Sequence, residues 1–216
     1  MTKTGCDVLV IGAGPGGLAA AKSARENGAG RVVVLERNSF AGGILEQCIH
    51  DGFGLIRYKK ALTGPEYAQI ALKEANDAGA IVLYGRHVTE ISVDKIVTAY
   101  TRDGIETYAA HTIILATGCR ERTRGSIAIP GSRPAGVYTA GVAQKLINRQ
   151  NIMVGKRVVI LGSGDIGLIM ARRLTLEGSD VVAVVEIMPE PCGLARNISP
   201  ISPEPSITTL FPTMIF

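Results

Sequence analysis

Residues 7–36 read DVLVIGAGPGGLAAAKSARENGAGRVVVLE, and this stretch decides the fold. An apolar run, Val8 to Ile11, is short enough to be a strand buried on both faces. The glycines at 12, 14, 16 and 17 then mark a tight turn. Pro15 stands where a helix begins, because its missing N–H costs nothing in a first helical turn. Apolar residues at helical spacing lead to Gly28, the place for a helix C-cap. A second strand, Arg31 to Leu35, ends in an acid, Glu36. The pattern is a βαβ unit.

The unit occurs twice. RVVILGSGDIGLIMARRLTLEG, residues 157–178, superposes on residues 7–28 at a constant offset of 150. Gly12 falls on Gly162, Gly14 on Gly164, Gly17 on Gly167, Gly28 on Gly178 and Glu36 on Glu186. Val158 to Leu161 and Val181 to Val185 are the two strands of the second unit.

Such a unit suits a dinucleotide. A pyrophosphate is dianionic, and a helix N-terminus offers it free N–H groups and the positive end of a dipole. The first glycine permits the tight turn, the second lets backbone approach the phosphates, and the third lets the helix pack on the strand. Glu36 follows Gly12 by 24 residues, where an acid accepts hydrogen bonds from adenosine ribose hydroxyls, and Glu186 repeats that relation to Gly162. A lone GxGxxG says little. Two of them, each after a strand, before a helix and answered by an acid, say much more.

Between the repeats, a helix is expected from about Gly64 to Ala78, followed by strands in IVLYGRHVTEISVD, KIVTAY and GIETYAAHTIILATG. Asp103-Gly104 signals a hairpin. We therefore expect a small antiparallel sheet to interrupt the first unit before a parallel strand, Thr112 to Ala116, returns to it. Residues 197–216, NISPISPEPSITTLFPTMIF, hold four prolines and one charge and show no helix or strand period, which marks an irregular tail.

Composition narrows the function. The 216 residues are 46% hydrophobic and 19% charged, with 26 glycines, as in a soluble α/β protein. The net charge of +4 is spread along the chain without a basic helix, which argues against nucleic acid. The apolar runs fall short of the roughly 20 residues a membrane span needs, and MTKTG has no signal-peptide core, so a cytoplasmic protein is expected. Cys6, Cys48, Cys119 and Cys192 form no CxxC pair, and only three histidines accompany them, so neither a metal site nor a disulfide framework is expected.

Four motifs, VIGAGPGGLAAA (10–21), LERNSFAGGIL (35–45), TIILATG (112–118) and VVILGSGDIG (158–167), resemble those of the pyridine nucleotide-disulfide oxidoreductase superfamily. The resemblance covers about residues 5–196. Within the superfamily, GGILEQCIHDGFGL (42–55) and GVYTAGVAQKLIN (136–148) are similar to FAD/NAD(P)-dependent oxidoreductases of the opine oxidase A and hydrogen cyanide synthase type. It implies two Rossmann-like units of the FAD/NAD(P)-binding fold: an FAD-binding domain at 1–118 and a partial NAD(P)H-binding domain at 119–196, before the tail at 197–216.

Carried over residue by residue, the resemblance puts Gly12, Gly14, Pro15, Gly16 and Gly17 at the FAD pyrophosphate and Glu36 at its ribose. Arg37 would lie beside the adenosine, Val88 would hold the adenine through its backbone, and Thr117 and Gly118 would lie against the FAD. Gly162, Gly164, Asp165 and Ile166 would cradle the nicotinamide cofactor's phosphates, with Glu186 at its ribose. A carboxylate there repels the extra phosphate of NADP, which favours NADH. The implied activity is hydride transfer between NAD(P)H and bound FAD, then to a small-molecule or protein electron acceptor. The alternative is a truncated or non-catalytic nucleotide-binding subunit of a larger oxidoreductase complex.

Two departures from the superfamily pattern stand out. Disulfide reductases carry a redox cysteine pair just after the GG that follows the first acid, whereas GGILEQCIHDG holds Cys48 alone, so a dithiol relay is not expected. Cys48 and His50 are left as candidates for a thiol and a proton donor near the flavin, against the plainer reading of Cys48 as packing. Arg120, Arg122 and Arg124 are candidates for steering an anion, against simple solvation. The chain also ends before the segment with which superfamily members return to the first domain. It is therefore expected to be truncated, with an incomplete second unit that exposes apolar surface and strand edges.

Overall fold

Alternation along the apolar runs sends successive side chains to opposite faces, and both faces become core. In the computed structural model, residues 3–132, 134–186 and 214–215 are described. They fall into two units, Met1–Cys119 and Arg120–Phe216.

The first unit runs β1 (Lys3–Ile11), α1 (Pro15–Glu26), β2 (Val32–Leu35), α2 (Gly64–Asp77), β3 (Ile81–Leu83), β4 (His87–Ile91), β5 (Ile96–Thr101) and β6 (Gly104–Leu115). They form one six-stranded sheet in the order β3-β2-β1-β6-β5-β4. β3, β2, β1 and β6 are parallel neighbours, and β4 and β5 join antiparallel. All four residues of β2 are buried, as a strand covered on both faces requires. Val10, Val32 and Val34 meet Leu18 and Ala21 of α1 and Ala71 and Ala75 of α2. Leu9, Ile11, Val33 and Leu35 point the other way, onto Val97, Ala99 and Tyr108.

The antiparallel strands expected within the first unit are present, and that second cluster shows how they join it. β6 is one strand of 12 residues, paired along β1 on one edge and along β5 on the other, so the antiparallel strands extend the main sheet instead of standing apart. β5 lies three places from β2 in the sheet order, yet its Val97 and Ala99 are fully buried in the same cluster as Val33. The antiparallel arm therefore covers the face that α1 and α2 leave open. The β5–β6 hairpin turns at Arg102 and Asp103, and Gly104 (φ +130°) opens β6.

The helix ends follow local chemistry. Thr63 and Glu66 form a capping box at the start of α2. Arg25 donates from Nε to the Ala78 carbonyl (3.0 Å) and from Nη1 to the Ala29 carbonyl (2.6 Å), serving the chain ends of α2 and α1 together. The helix expected over 64–78 is thus observed as Gly64–Asp77.

The second unit contains β7 (Tyr138–Thr139), α3 (Ala140–Gln150), β8 (Arg157–Leu161), α4 (Asp165–Leu176), β9 (Asp180–Val185) and β10 (Met214–Ile215). The sheet order is β7-β10-β8-β9, with β8 and β9 parallel and β10 antiparallel to both of its neighbours. Val158 and Ile160 pack with Ala143 and Ile147 of α3 and with Met170 and Leu174 of α4. β10 corrects the reading of 197–216 as wholly irregular. An apolar dipeptide supplies backbone partners to Ile160 and Leu161 along the edge of β8, which otherwise carries unpaired N–H and C=O groups. The rest of that tail, the boundary at 196/197 and Cys192 lie outside the described residues.

Candidate nucleotide-binding sites

In the first unit the glycine turn is shaped by two close approaches. Gly12 has φ +104°, and a side chain there would run into the Ala116 carbonyl. A side chain at Gly17 would run into the Gly12 carbonyl, so α1 packs on the turn only because this position is glycine. Gly14 and Gly16 differ: a Cβ at either would meet nothing within 4 Å. They border open space at the N-terminus of α1, where Gly14 is the N-cap, Pro15 stands in the first turn and no side chain caps the helix. Uncapped N–H groups beside open space fit a pyrophosphate.

Glu36 is only 5% exposed. Its Oε2 accepts the Ala13 N–H (2.9 Å), and its Oε1 accepts the backbone N–H and the side-chain amide of Asn38, both at 2.8 Å. The acid at the end of β2 is thereby tied to the middle of the glycine turn. Two neighbouring segments join it. The Gly42 N–H donates to the Ala13 carbonyl (2.8 Å), and a Cβ on Gly43 would lie 3.1 Å from the Gly14 Cα. The Ala116 N–H donates to the Ile11 carbonyl (2.9 Å), bringing Thr117 and Gly118 beside the same turn, both exposed.

Arg37 is exposed, and Val88 is half-buried on β4 against the second core cluster. The segment leading to Val88 hangs from the acid: the Arg86 N–H donates to the Glu36 carbonyl (2.9 Å). The Arg86 side chain holds both Glu106 oxygens (3.2 and 3.0 Å), and the Tyr108 hydroxyl donates to Glu106. Glu106 is held below the usual carboxylate range, first by Tyr108 and then by Arg86. Burial, followed by the Glu106 contact, pushes Tyr108 up to about 12.

The second unit repeats this geometry. Gly162 has φ +101°, and its N–H donates to the Val185 carbonyl (2.7 Å), as Gly12 does to Leu35 (2.8 Å). The N-cap glycines match: φ −65°, ψ 174° at Gly164, and φ −72°, ψ 177° at Gly14. Asp165 stands in the first turn of α4, and Ile166 is 46% exposed. The Glu186 Oε2 accepts the Ser163 N–H (2.7 Å) and the Ser163 hydroxyl (2.8 Å).

Cys48 is buried, its sulfur donates to the Ile44 carbonyl (3.3 Å), and burial pushes its thiol up. That keeps it protonated, unlike an activated nucleophile. His50 packs against Phe53 in a tilted arrangement with ring centroids 5.1 Å apart. Arg120 and Arg122 are exposed, and Arg124 is half-buried. Among the described residues, no helix is long and apolar enough to cross a membrane.

Asn38, Ser163 and the Arg86–Glu106–Tyr108 group are not singled out by the sequence motifs. Aligning the repeats sets Ala13 against Ser163, which is the available signal: the middle residue of each GxG lies beside its acid.

Two glycine turns, each opening a helix and each tied to a glutamate at a strand end, define a protein with two dinucleotide-type βαβ units. The pyridine nucleotide-disulphide oxidoreductase family profile matches residues 6–203, and the chain belongs to that family. The alpha chain of sarcosine oxidase from Rhizobium meliloti (strain 1021) is 32% identical over 197 residues, which cover 85% of this chain and 19% of that protein. Opine oxidase A of Rhizobium meliloti is 31% identical over 190 residues, covering 83% of this chain and 35% of that one. The chain thus spans well under half the length of these relatives. In fold, it is similar to L-proline dehydrogenase from P. horikoshii (TM-score 0.65, 18% identity, 88% of this chain and 37% of that chain). It is also similar to Lactococcus lactis thioredoxin reductase in its FR conformation (TM-score 0.60, 24% identity, 85% of this chain and 57% of that chain). Family membership implies FAD and a nicotinamide nucleotide as cofactors.

Proposed function

We propose that the first unit binds FAD, that the second binds NADH, and that the chain serves an oxidoreductase that passes electrons to a small-molecule or protein acceptor. The observation that carries this reading is the contrast between helix starts in the first unit. α2 is closed by its own capping box, whereas α1 starts at Gly14 without a side-chain cap and beside open space.

In this reading Gly12, Gly14, Pro15, Gly16 and Gly17 receive the FAD pyrophosphate on the N–H groups of α1. Glu36 accepts from the ribose through Oε2, which has one protein donor where Oε1 has two. Arg37 and the Val88 backbone serve the adenosine, and Thr117 and Gly118 border the cofactor. Gly162, Gly164, Asp165 and Ile166 take the corresponding place for the nicotinamide nucleotide, with Glu186 at the ribose. When bound, the nicotinamide supplies a hydride and the flavin accepts it, so the protein's part is to hold, orient and shield. Cys48 is assigned to packing, because its thiol is buried and its proton is retained.

A role as one component of a larger assembly is the second reading. It is favoured by two relatives that are themselves named as subunits, those of sarcosine oxidase and opine oxidase. One experiment addresses both. Purified chain should show flavin absorbance that NADH bleaches anaerobically, and turnover with an artificial acceptor would favour an autonomous enzyme over a component of a complex. A colourless protein that cannot be reconstituted with FAD would overturn the proposal.

A further inference from the structure

The two acids are locked by different residues. Glu36 is held by the Ala13 backbone and by Asn38, two positions further along the chain. Glu186 is held from the glycine turn, where Ser163 offers both its N–H (2.7 Å) and its hydroxyl (2.8 Å) to the same carboxylate oxygen. Ser163 is 6% exposed, so its hydroxyl is screened from water, and a buried hydroxyl beside a carboxylate makes a charge-assisted bond. The equivalent residue in the first unit, Ala13, has no side-chain donor.

We propose that Ser163 is a positioning residue that makes the second unit select NADH over NADPH, by holding the Glu186 carboxylate against the glycine turn. This rests on the reading of that unit as a nicotinamide-nucleotide site. A free glutamate side chain has many rotamers, and ordering one costs free energy at the moment of binding. Ser163 arranges that order beforehand. A fixed carboxylate accepts from a ribose diol without reorganising, and it opposes a ribose 2′-phosphate by like-charge repulsion that a mobile side chain could relieve. Having one long side chain ordered before binding corresponds to about threefold to tenfold in affinity.

The test is calorimetric titration of the full chain, loaded with FAD where it retains it, with NADH and separately with NADPH. Wild type, Ser163→Ala, Glu186→Gln and the double variant are compared. We expect Ser163→Ala to weaken NADH by about threefold to tenfold and to leave NADPH unchanged or tighter, lowering the NADH preference. In the Glu186→Gln background the serine substitution should have little further effect, because Ser163 acts through Glu186. A parallel fall of both affinities together with a lower Tm would mark a purely structural role and overturn the proposal. So would an unchanged NADH/NADPH ratio in Ser163→Ala. Wild type that binds neither nucleotide overturns the underlying reading, and that result is distinct from the other two.

Discussion

The two βαβ units share a backbone and differ in how they use it. Positive φ at Gly12 and Gly162, and nearly identical N-cap dihedrals at Gly14 and Gly164, show the same turn built twice. Around the acids the units part. In the first, a 5% exposed Glu36 has three protein donors from two residues, and the first turn of α1 is free of acid. In the second, Glu186 is half-buried, is held by Ser163, and faces a helix that starts with Asp165. At Gly12 and Gly17 the turn geometry is set by glycine sterics, which leave no room for a side chain. Ways of holding a carboxylate are several, so the two copies have settled on different ones.

The largest effect should come from the glycines that close the turn. Gly17→Ala places a methyl group on the Gly12 carbonyl, a backbone atom that cannot swing aside. We expect a loss of about 3 kcal/mol or more in urea unfolding, at or above the usual range for overpacking. Gly16→Ala is the control one residue away. Its added methyl meets nothing within 4 Å, and alanine favours a helix by up to about 1 kcal/mol. Stability should hold or rise while flavin retention falls. If Gly16→Ala retained flavin at the wild-type level, a side chain would be tolerated there as Ile166 is at the matching place in the second unit, and the close approach to the pyrophosphate would fall to Gly14.

Next comes the acid itself. Glu36→Ala leaves the Ala13 N–H buried without a partner, at a cost of about 1–3 kcal/mol, and removes both Asn38 bonds as well. Glu186→Ala should cost less, because water reaches a half-buried site. Equal losses of stability in the two variants would mean that the difference in burial does not govern the energetics. Much of this is legible in the sequence: glycine spacing, the repeat offset and the two acids all follow from side-chain size and charge. Asn38 is not legible there, since a polar residue two places after an acid carries no spacing signal and becomes a partner only when the chain bends back.

The antiparallel arm belongs to the first unit, and Tyr108 anchors it. Tyr108→Phe removes the hydroxyl donor to Glu106 and should cost about 1.5–3 kcal/mol, read by urea unfolding at neutral pH. Acid supplies a second reading. The folded pKa of Glu106 lies below its ordinary 4.5, so its contribution is complete above that pH and is lost as pH falls through the lower, folded value. Tyr108→Phe should flatten this acid limb. Tyr108, raised from 10.0 to about 12, contributes fully below the lower of these values and loses its share only as pH climbs toward the higher, so tyrosinate absorbance should show a late-titrating component that Tyr108→Phe removes. The strands of this arm are legible from alternation and the Asp103-Gly104 signal. Their merger with the main sheet is not, because nothing local in TYAAHTIIL says that one strand serves two edges.

The smallest effect is the sharpest comparison of the helix starts. Asp165 occupies the position that Pro15 holds in the first unit, and its charge stabilises the positive end of α4. A dianionic nucleotide arriving at the same N–H groups meets that charge as a repulsion. Asp165→Asn should therefore tighten NADH binding by about twofold to fivefold, the equivalent of about 0.3–1 kcal/mol, while lowering the stability of the free protein by a similar amount. Both changes should shrink as salt is added, because exposed charges are screened beyond about 10 Å at 0.1 M. If the substitution weakened NADH binding instead, the Asp165 side chain, and not only its backbone, would be a ligand of the nucleotide, and the second unit would receive its phosphates in a way that the first, with proline in that place, cannot.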